Sequence, residues 1–187
     1  MFMPILVSHL TTEEAVEKIC ESGSLFSGSC IADVAKHEWM RRLLFLPKTF
    51  TERGTFCFLE EELPKWKRDK EVWDYVTKSW VQYHGDSEEK KKSPKTLVKL
   101  SFEVNSDDQV SVFDEECLFV SARKFWKASF LGKLCLIPDV RKSYCEFVSS
   151  RVNIEDYQGN YALPSVFIKK PIPIERIYCE SFRVENS

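Results

Sequence analysis

Apolar and polar residues alternate most regularly in the segment TLVKLSFEV, residues 96–104. The apolar positions Val98, Leu100, Phe102 and Val104 are separated by Lys99, Ser101 and Glu103. This period of two is typical of a half-buried β-strand. Shorter apolar runs predict further strands at residues 4–8, at 54–59 (GTFCFL), in QVSVF after the turn NSDD, and in LGKLCLIP, YCEFVSSRV, PSVFI and IERIYCESFRV.

Helices are predicted in four other segments, mostly in the first half of the chain. Residues 12–22 place Ala15, Val16, Ile19 and Cys20 on one face; Thr11 and Glu14 match a capping box, and Gly23 ends the helix. Residues 65–84 carry a stripe of Trp66, Trp73, Val76, Trp80 and Tyr83, of which Trp73, Val76 and Trp80 are expected to be buried. Helices are also predicted at 33–45 and, as a short one, at 121–129.

This order of elements, with helices early and strands late, predicts an α+β fold with mostly antiparallel pairing. The chain has 187 residues, 43% of them hydrophobic, which is enough apolar material for a core. The segment GDSEEKKKSP breaks the helical pattern and is expected to be a solvated loop. It is too short to separate two domains, so we expect a single domain over residues 1–187.

Charge and cysteine content narrow the class of protein. Lys and Arg number 27 and Asp and Glu 29, a balance that argues against a dedicated duplex-binding protein. The seven cysteines form no C-x-x-C pair and the three histidines are scattered, so no metal site is expected. Several of the cysteines lie in apolar, strand-like runs, where a free thiol behaves as a small hydrophobic group, so we expect a reduced intracellular protein of the cytoplasm or nucleus. No apolar stretch is long enough for a membrane-spanning helix.

The start of the chain, FMPILVSHLTTEEAVEK, places His9 and Thr11 where a strand meets a helix. Two interpretations remain open at this stage. Thr11 can cap the helix while His9 is a strand-end residue, or both side chains can contact a nucleotide. The acidic runs at 60–62 and 114–116 are expected to be solvated.

Four segments, in this order, resemble the ADP-ribosyltransferase superfamily (the PARP-like fold), particularly its small toxin-like and DNA-modifying branches. They are ILVSHLTTEEAVEKICESGSL, RGTFCFLEE, TLVKLSFEVNSDDQVSVFDEE and LPSVFIKKPIPIERI. The resemblance implies a split antiparallel β core of ADP-ribosyltransferase type and NAD as the cofactor. It also implies a transferase that moves a glycosyl group, the ADP-ribose of NAD, to an acceptor.

The resemblance implies roles for particular residues. His9 and Thr11 would contact ribose hydroxyls, and Phe56 would stack on nicotinamide, so these three residues should share one pocket. The family's catalytic Glu has no counterpart, because Ser165 stands at its position. A carboxylate there stabilises the positive charge that develops on the ribose. Glu146 and Glu180 are the nearby acids that we consider as replacements.

The sequence therefore supports an ADP-ribosyltransferase-like domain that binds NAD or ADP-ribose, with weak transfer to a protein or nucleic-acid acceptor. The alternative is a pseudoenzyme, a catalytically inactive module of the same fold that binds a protein or nucleic-acid partner. A third possibility, a nucleic-acid binder without nucleotide chemistry, rests on the basic, tryptophan-rich segment KWKRDKEVWDYVTKSW. A carboxylate pointing into the cleft would favour the enzyme.

Overall fold

The structure is a computed structural model that describes residues 5–26, 28–30, 52–84, 96–129, 132 and 135–183. The helix expected at 33–45 and the loop expected at 85–94 lie outside these ranges, as do the side chains of Trp80 and Tyr83.

A mostly antiparallel sheet forms the centre of the fold, with strand order β10-β5-β1-β4-β8-β6-β7. Strand β3 pairs with β4 beside this path, and β2 pairs with β9 in a separate small sheet. The strands are β1 (Ile5–Thr11), β2 (Ser24–Leu25), β3 (Ser29–Cys30), β4 (Arg53–Leu59), β5 (Thr96–Val104), β6 (Val110–Asp114), β7 (Val152–Asn153), β8 (Pro164–Ile168), β9 (Ile172–Pro173) and β10 (Tyr178–Arg183). The expected α+β class with antiparallel pairing is confirmed at this level.

The contact between β1 and β4 is short. Strand β1 pairs with β5 along its whole length, from Ile5 to Thr11, but with β4 only through Val7–Leu59 and Ser8–Phe58. Beyond Ser8 the two strands diverge, and β4 pairs at its other end with β3. The sheet therefore consists of two parts, β10-β5-β1 and β4-β8-β6-β7, joined by a narrow pairing. We call the place where β1 and β4 diverge the split.

In the described ranges, five α-helices cover the two faces of the sheet: α1 (Glu13–Ser22), α2 (Leu63–Arg68), α3 (Lys70–His84), α4 (Glu116–Lys127) and α5 (Ile137–Ser149). Helix α1 packs Val16 and Ile19 against the core of one face. That core contains Val7, Cys57, Leu59, Phe102, Val112 and Val166, among others. On the other face, α2 and α3 cover Leu10 and Phe58, while α4 and α5 cover Phe56, Phe113 and Phe167.

The N-cap of the first helix lies one residue later than the predicted N-cap, Thr11. Thr12 is the N-cap, and its hydroxyl accepts a hydrogen bond from the Ala15 backbone N–H at 3.3 Å. Gly23 ends the helix in the left-handed conformation, with φ of 72°, as expected for a C-terminal glycine. Thr11 belongs to strand β1, so its hydroxyl is not used for capping.

The tryptophan-rich segment forms two helices rather than one. Asp69 separates α2 from α3, and its carboxylate accepts hydrogen bonds from the N–H groups of Glu71 and Val72. Val76 is buried as expected, but Trp73 is only half-buried, with the Lys67 ammonium 5.7 Å from its ring centre. Of the two tryptophans whose side chains the structure describes, Trp66 is the more deeply buried, and it packs against Phe58 with ring centres 5.2 Å apart.

Three predictions in the second half of the chain were wrong. The runs LGKLCLIP and YCEFVSSRV were expected to be strands, yet helix α5 includes the end of the first run and residues 144–149 of the second. Its buried residues Ser143, Tyr144 and Phe147 follow a helical spacing that the β-favouring composition concealed. Helices are therefore found in both halves of the chain. Strand β6 also does not return against β5; it pairs with β8 and β7.

None of the helices in the described ranges has the length and hydropathy that a membrane span requires. This follows from their amphipathic composition, since each carries charged residues in its first or last turn.

The burial difference between Trp66 and Trp73 predicts unequal costs of truncation. Trp66→Ala should lower the free energy of unfolding by about 3–5 kcal/mol, because it empties a packed site beneath α2. Trp73→Ala, the matched control, should cost less than half as much, since its ring is partly solvated. Urea unfolding followed by circular dichroism measures both. Equal costs for the two variants would contradict the described packing.

Candidate functional site

His9 stands at the split and links its two sides. Its backbone pairs with Leu100 of β5, and its Nδ1 lies 2.8 Å from the backbone carbonyl oxygen of Phe56 on β4. The ring is 1% exposed. Side chains alternate along a strand, so His9 and Thr11 project to the same face of the sheet as Val7. Beyond Ser8, where the backbones of β1 and β4 no longer pair, the side chain of His9 thus joins the two strands by a hydrogen bond.

The Phe56 ring lies on the opposite face of the sheet. Phe56 pairs with Phe167 of β8, and their ring centres are 4.9 Å apart. The ring is 7% exposed and belongs to the core beneath α4 and α5. The single pocket expected for His9, Thr11 and Phe56 is therefore not what the structure shows. The strand carrying Phe56 meets His9 through its backbone, while the ring serves packing.

Two hydroxyls of the expected site are buried without a well-formed hydrogen bond. Thr11 Oγ1 and Ser165 Oγ have no partner, although Thr11 is 3% and Ser165 5% exposed. Two other buried polar atoms in the described ranges lack a well-formed hydrogen bond, Trp66 Nε1 and one carboxylate oxygen of Glu52. The Glu52 oxygen is ion-paired with Arg151 and Lys169. A buried polar group without a partner is costly and asks for an explanation.

Ser165 lies in the middle of the second part of the sheet. On β8 it is paired with Phe58 of β4 on one side and with Phe113 of β6 on the other. Directly paired residues point to the same face, so its hydroxyl projects toward the helices that cover these rings. An apolar surrounding of this kind strengthens electrostatic interactions at the hydroxyl.

Glu115 is the carboxylate that faces Ser165, and sequence reasoning missed it. It lies between the end of β6 and the start of α4, where its backbone N–H donates to the Leu163 carbonyl at 2.9 Å. Burial raises the pKa of the Glu115 carboxyl to about 7; the Ser165 hydroxyl acts in the opposite direction, and the charge of Asp114 raises the pKa further. The two groups are neighbours without forming an aligned hydrogen bond.

The acidic run 114–116 was expected to be solvated throughout, and the structure shows that it is not. Glu116 is exposed, whereas Asp114 and Glu115 are half-buried as whole residues, with the Glu115 carboxyl group at the buried end of its side chain. Asp114 accepts hydrogen bonds from the backbone N–H groups of Glu116 and Leu163, at 3.1 and 3.2 Å. These bonds fix the turn that directs Glu115 toward β8. The sequence signal for Glu115 was that DEE follows directly after the predicted strand VSVF. This signal did not lead to Ser165, because the sequence does not reveal that this strand pairs with PSVFI.

The two acids considered as replacements lie elsewhere. Glu146 is exposed on α5, with its carboxylate 3.8 Å from the Lys142 ammonium. Glu180 is exposed on the edge strand β10, 2.9 Å from the Lys99 ammonium, which holds the pKa of Glu180 below its usual value. In the strand order, β10 is separated from β8 by β5, β1 and β4. Glu115 is the acid beside Ser165.

Two surface cavities lie away from these residues. One, of about 380 Å³, lies between α4 and α5 and includes Glu146 in its lining; the other, of about 490 Å³, is lined partly by Arg151 and Lys169. Neither is lined by His9, Thr11, Phe56 or Ser165. Within the described part of the chain, no group of three His, Cys, Asp or Glu residues is placed to hold a metal ion.

No protein-family model, curated protein or solved structure matches this chain. The site is therefore defined by the contacts of its own residues.

The arrangement combines three chemical capacities. The Thr11 and Ser165 hydroxyls can donate to and accept from a polar ligand. A carboxyl with a pKa near neutrality can exchange a proton at physiological pH. Once ionised in an apolar surrounding, the same group can stabilise a developing positive charge.

The raised pKa of Glu115 predicts a pH dependence of stability. Between pH 4.5 and about 7 the folded protein binds a proton that the unfolded chain has released, so its stability falls as pH rises through this range. The loss should reach about 3 kcal/mol and level off above neutrality. Glu115→Gln should remove this part of the slope, because a neutral side chain then occupies the buried position at every pH.

The matched control is Glu116→Gln, which removes a carboxyl from the adjacent exposed residue. Its pH profile should retain the slope of the unmodified protein. Chemical unfolding from about pH 5 to about pH 8 compares the three proteins. If Glu115→Gln and Glu116→Gln gave the same profile, Glu115 would not be the buried titrating group.

Proposed function

We propose that the protein is an ADP-ribosyltransferase-like domain that binds NAD or ADP-ribose at the split. The observation that carries the proposal is the pair of unpartnered buried hydroxyls. Thr11 and Ser165 are the positions at which the sequence resemblance expects contacts to the ligand. Neither hydroxyl makes a well-formed hydrogen bond, although the Glu115 carboxyl lies beside Ser165. A ribose, which presents several hydroxyl groups, would supply the missing hydrogen bonds.

The positions of the two hydroxyls suit an extended ligand. Thr11 lies three residues beyond Ser8, where β1 still pairs with β4; this corresponds to about 10 Å along the strand. Ser165 lies two strands across from Ser8, again about 10 Å. The Thr11 and Ser165 hydroxyls project to opposite faces of the sheet. Strands β1 and β4, which lie between the two residues, separate at the split. A dinucleotide has the length to contact both, whereas a mononucleotide does not.

In this proposal Glu115 takes the role of the carboxylate that Ser165 cannot supply. Cleavage of the bond between nicotinamide and ribose develops positive charge on the ribose, and an ionised carboxylate nearby lowers that barrier. The contacts of Thr11 and Ser165 act on the bound ground state and so give affinity. With a pKa of about 7, Glu115 would become ionised as pH rises through neutrality, so turnover would increase over that range.

The position of Phe56 favours the second candidate, an inactive binding module. Its ring packs on Phe167 in the core and is not presented as a stacking surface for nicotinamide. A protein that binds ADP-ribose without cleaving NAD needs no such surface. Nicotinamide release therefore separates the two candidates.

Binding is tested by calorimetric titration with NAD and with ADP-ribose. Thr11→Val and Ser165→Ala should each weaken binding by about 10-fold, the equivalent of one hydrogen bond. Thr11→Val should not lower the free energy of unfolding, because it removes a hydroxyl that lacks a hydrogen bond in the free protein. Affinity and stability should thus change independently. If the unmodified protein bound neither ligand, the proposed function would be wrong.

Turnover is tested by nicotinamide release from NAD. If the domain is active, Glu115→Gln should reduce release by about 100-fold or more while leaving NAD affinity nearly unchanged. Glu116→Gln is the matched control and should retain full activity. Ser165→Glu tests the position itself: a gain of release would place residue 165 at the reacting ribose. Binding without release in the unmodified protein would establish the inactive module.

A further inference from the structure

Helix α1 and the edge strand β10 each carry an exposed cysteine. Cys20 lies in the last turn of α1, directly after Ile19, and Cys179 is the second residue of β10. Both are free thiols and both are exposed. Neither belongs to the site described above.

The backbone brings these two segments alongside each other. The Ile174 backbone N–H donates to the Gly23 carbonyl at 3.2 Å, and β2 pairs with β9 in an antiparallel register immediately beyond. Cys20 precedes Gly23 by three residues, and Cys179 follows Ile174 by five. The two cysteines therefore lie three and five residues from this contact between the segments.

The sheet places both thiols on the same face. Cys179 is paired with Leu100 of β5, whose side chain belongs to the core that α1 covers. Helix α1 contacts this core through Val16 and Ile19. Cys179 therefore projects toward the side of the sheet on which α1 lies, at the edge where the helix ends.

The electrostatics of the two thiols agree with this placement. Burial raises the pKa of the Cys179 thiol, and the neighbouring Cys20 raises it further.

We propose that Cys20 and Cys179 are an oxidisable pair that forms an intramolecular disulfide and so cross-links α1 to β10. The oxidant is a low-molecular-weight disulfide such as oxidised glutathione. One thiolate attacks this disulfide, forming a mixed disulfide and releasing one glutathione thiol. The second protein thiolate then attacks the cysteine Sγ of this mixed disulfide, which forms the protein disulfide and releases the other half as a glutathione thiol. Two protein thiols are oxidised, one glutathione disulfide is reduced to two thiols, and two protons are exchanged between them.

The cross-link would act on the helix that directly follows Thr11. Because α1 starts after the end of β1, a bond at its far end to β10 would restrain the helix against the first part of the sheet. The proposal does not depend on NAD binding, since it rests on Cys20, Cys179 and the contacts of α1 alone.

The test is titration of the full-length protein with oxidised glutathione, followed by mass spectrometry without reduction. The protein should lose the mass of two hydrogen atoms and two reactive thiols, and proteolysis should yield a peptide pair linked through Cys20 and Cys179. In Cys20→Ser or Cys179→Ser the linked pair should be absent and the remaining thiol should carry glutathione.

Cys145→Ser is the matched control, because Cys145 is an equally exposed thiol on α5. This variant should form the cross-link as readily as the unmodified protein. Two results would overturn the proposal: stable glutathione adducts on both Cys20 and Cys179 in the unmodified protein, or linked peptides that join either cysteine to a different one.

Discussion

The narrow pairing between β1 and β4 is the constraint on which the rest of the structure depends. Only two residue pairs join these strands, and beyond them the His9 side chain bonds to the Phe56 carbonyl. This side-chain bond satisfies a backbone acceptor that the diverging strand no longer reaches, which is required of a buried carbonyl. The two parts of the sheet therefore stay together while the strands between them separate.

The same constraint determines where polar groups can be buried without partners. Past the split, β1 extends to Thr11 on β5 alone, so its last hydroxyl is not opposed by a residue of β4. In the other part, Ser165 lies among Phe58 and Phe113, and the turn after β6 brings Glu115 to it. Burial then raises the pKa of that carboxyl toward neutrality. Hydroxyls without partners and a protonatable acid are expensive to maintain, which is characteristic of binding and catalytic sites.

How much the sequence revealed depended on the range of the interaction involved. Strand β5 and helix α1 follow from local periodicity, and their bounds were nearly right. The N-cap of α1 was predicted at Thr11 and lies at Thr12. Two adjacent threonines can both serve as a cap, so the sequence alone does not decide between them. Helix α5 was mistaken for a strand because its Tyr, Phe and Val residues favour strands, whereas tertiary packing on Phe113 selects the helix.

The candidate site depended on long-range pairing and was less accessible. Whether Phe56 faces His9 is decided by strand register, and a change of one residue reverses the face. Glu115 could not be connected with Ser165, because β6 and β8 are separated in sequence by α4 and α5 and their pairing has no local signature. The resemblance aligned Ser165 with a catalytic acid but offered no route to an acid from another element.

The central claim, that the split is a ligand site, is tested most directly by two-dimensional NMR with ADP-ribose. The account predicts that titration shifts the backbone amide signals of residues 9–11 and of Ser165 and Glu115 together, with one saturation curve, while Tyr178 on the edge strand is unaffected. Shifts confined to another surface, or no shift at saturating ligand, would contradict the account and leave the split as a purely structural feature.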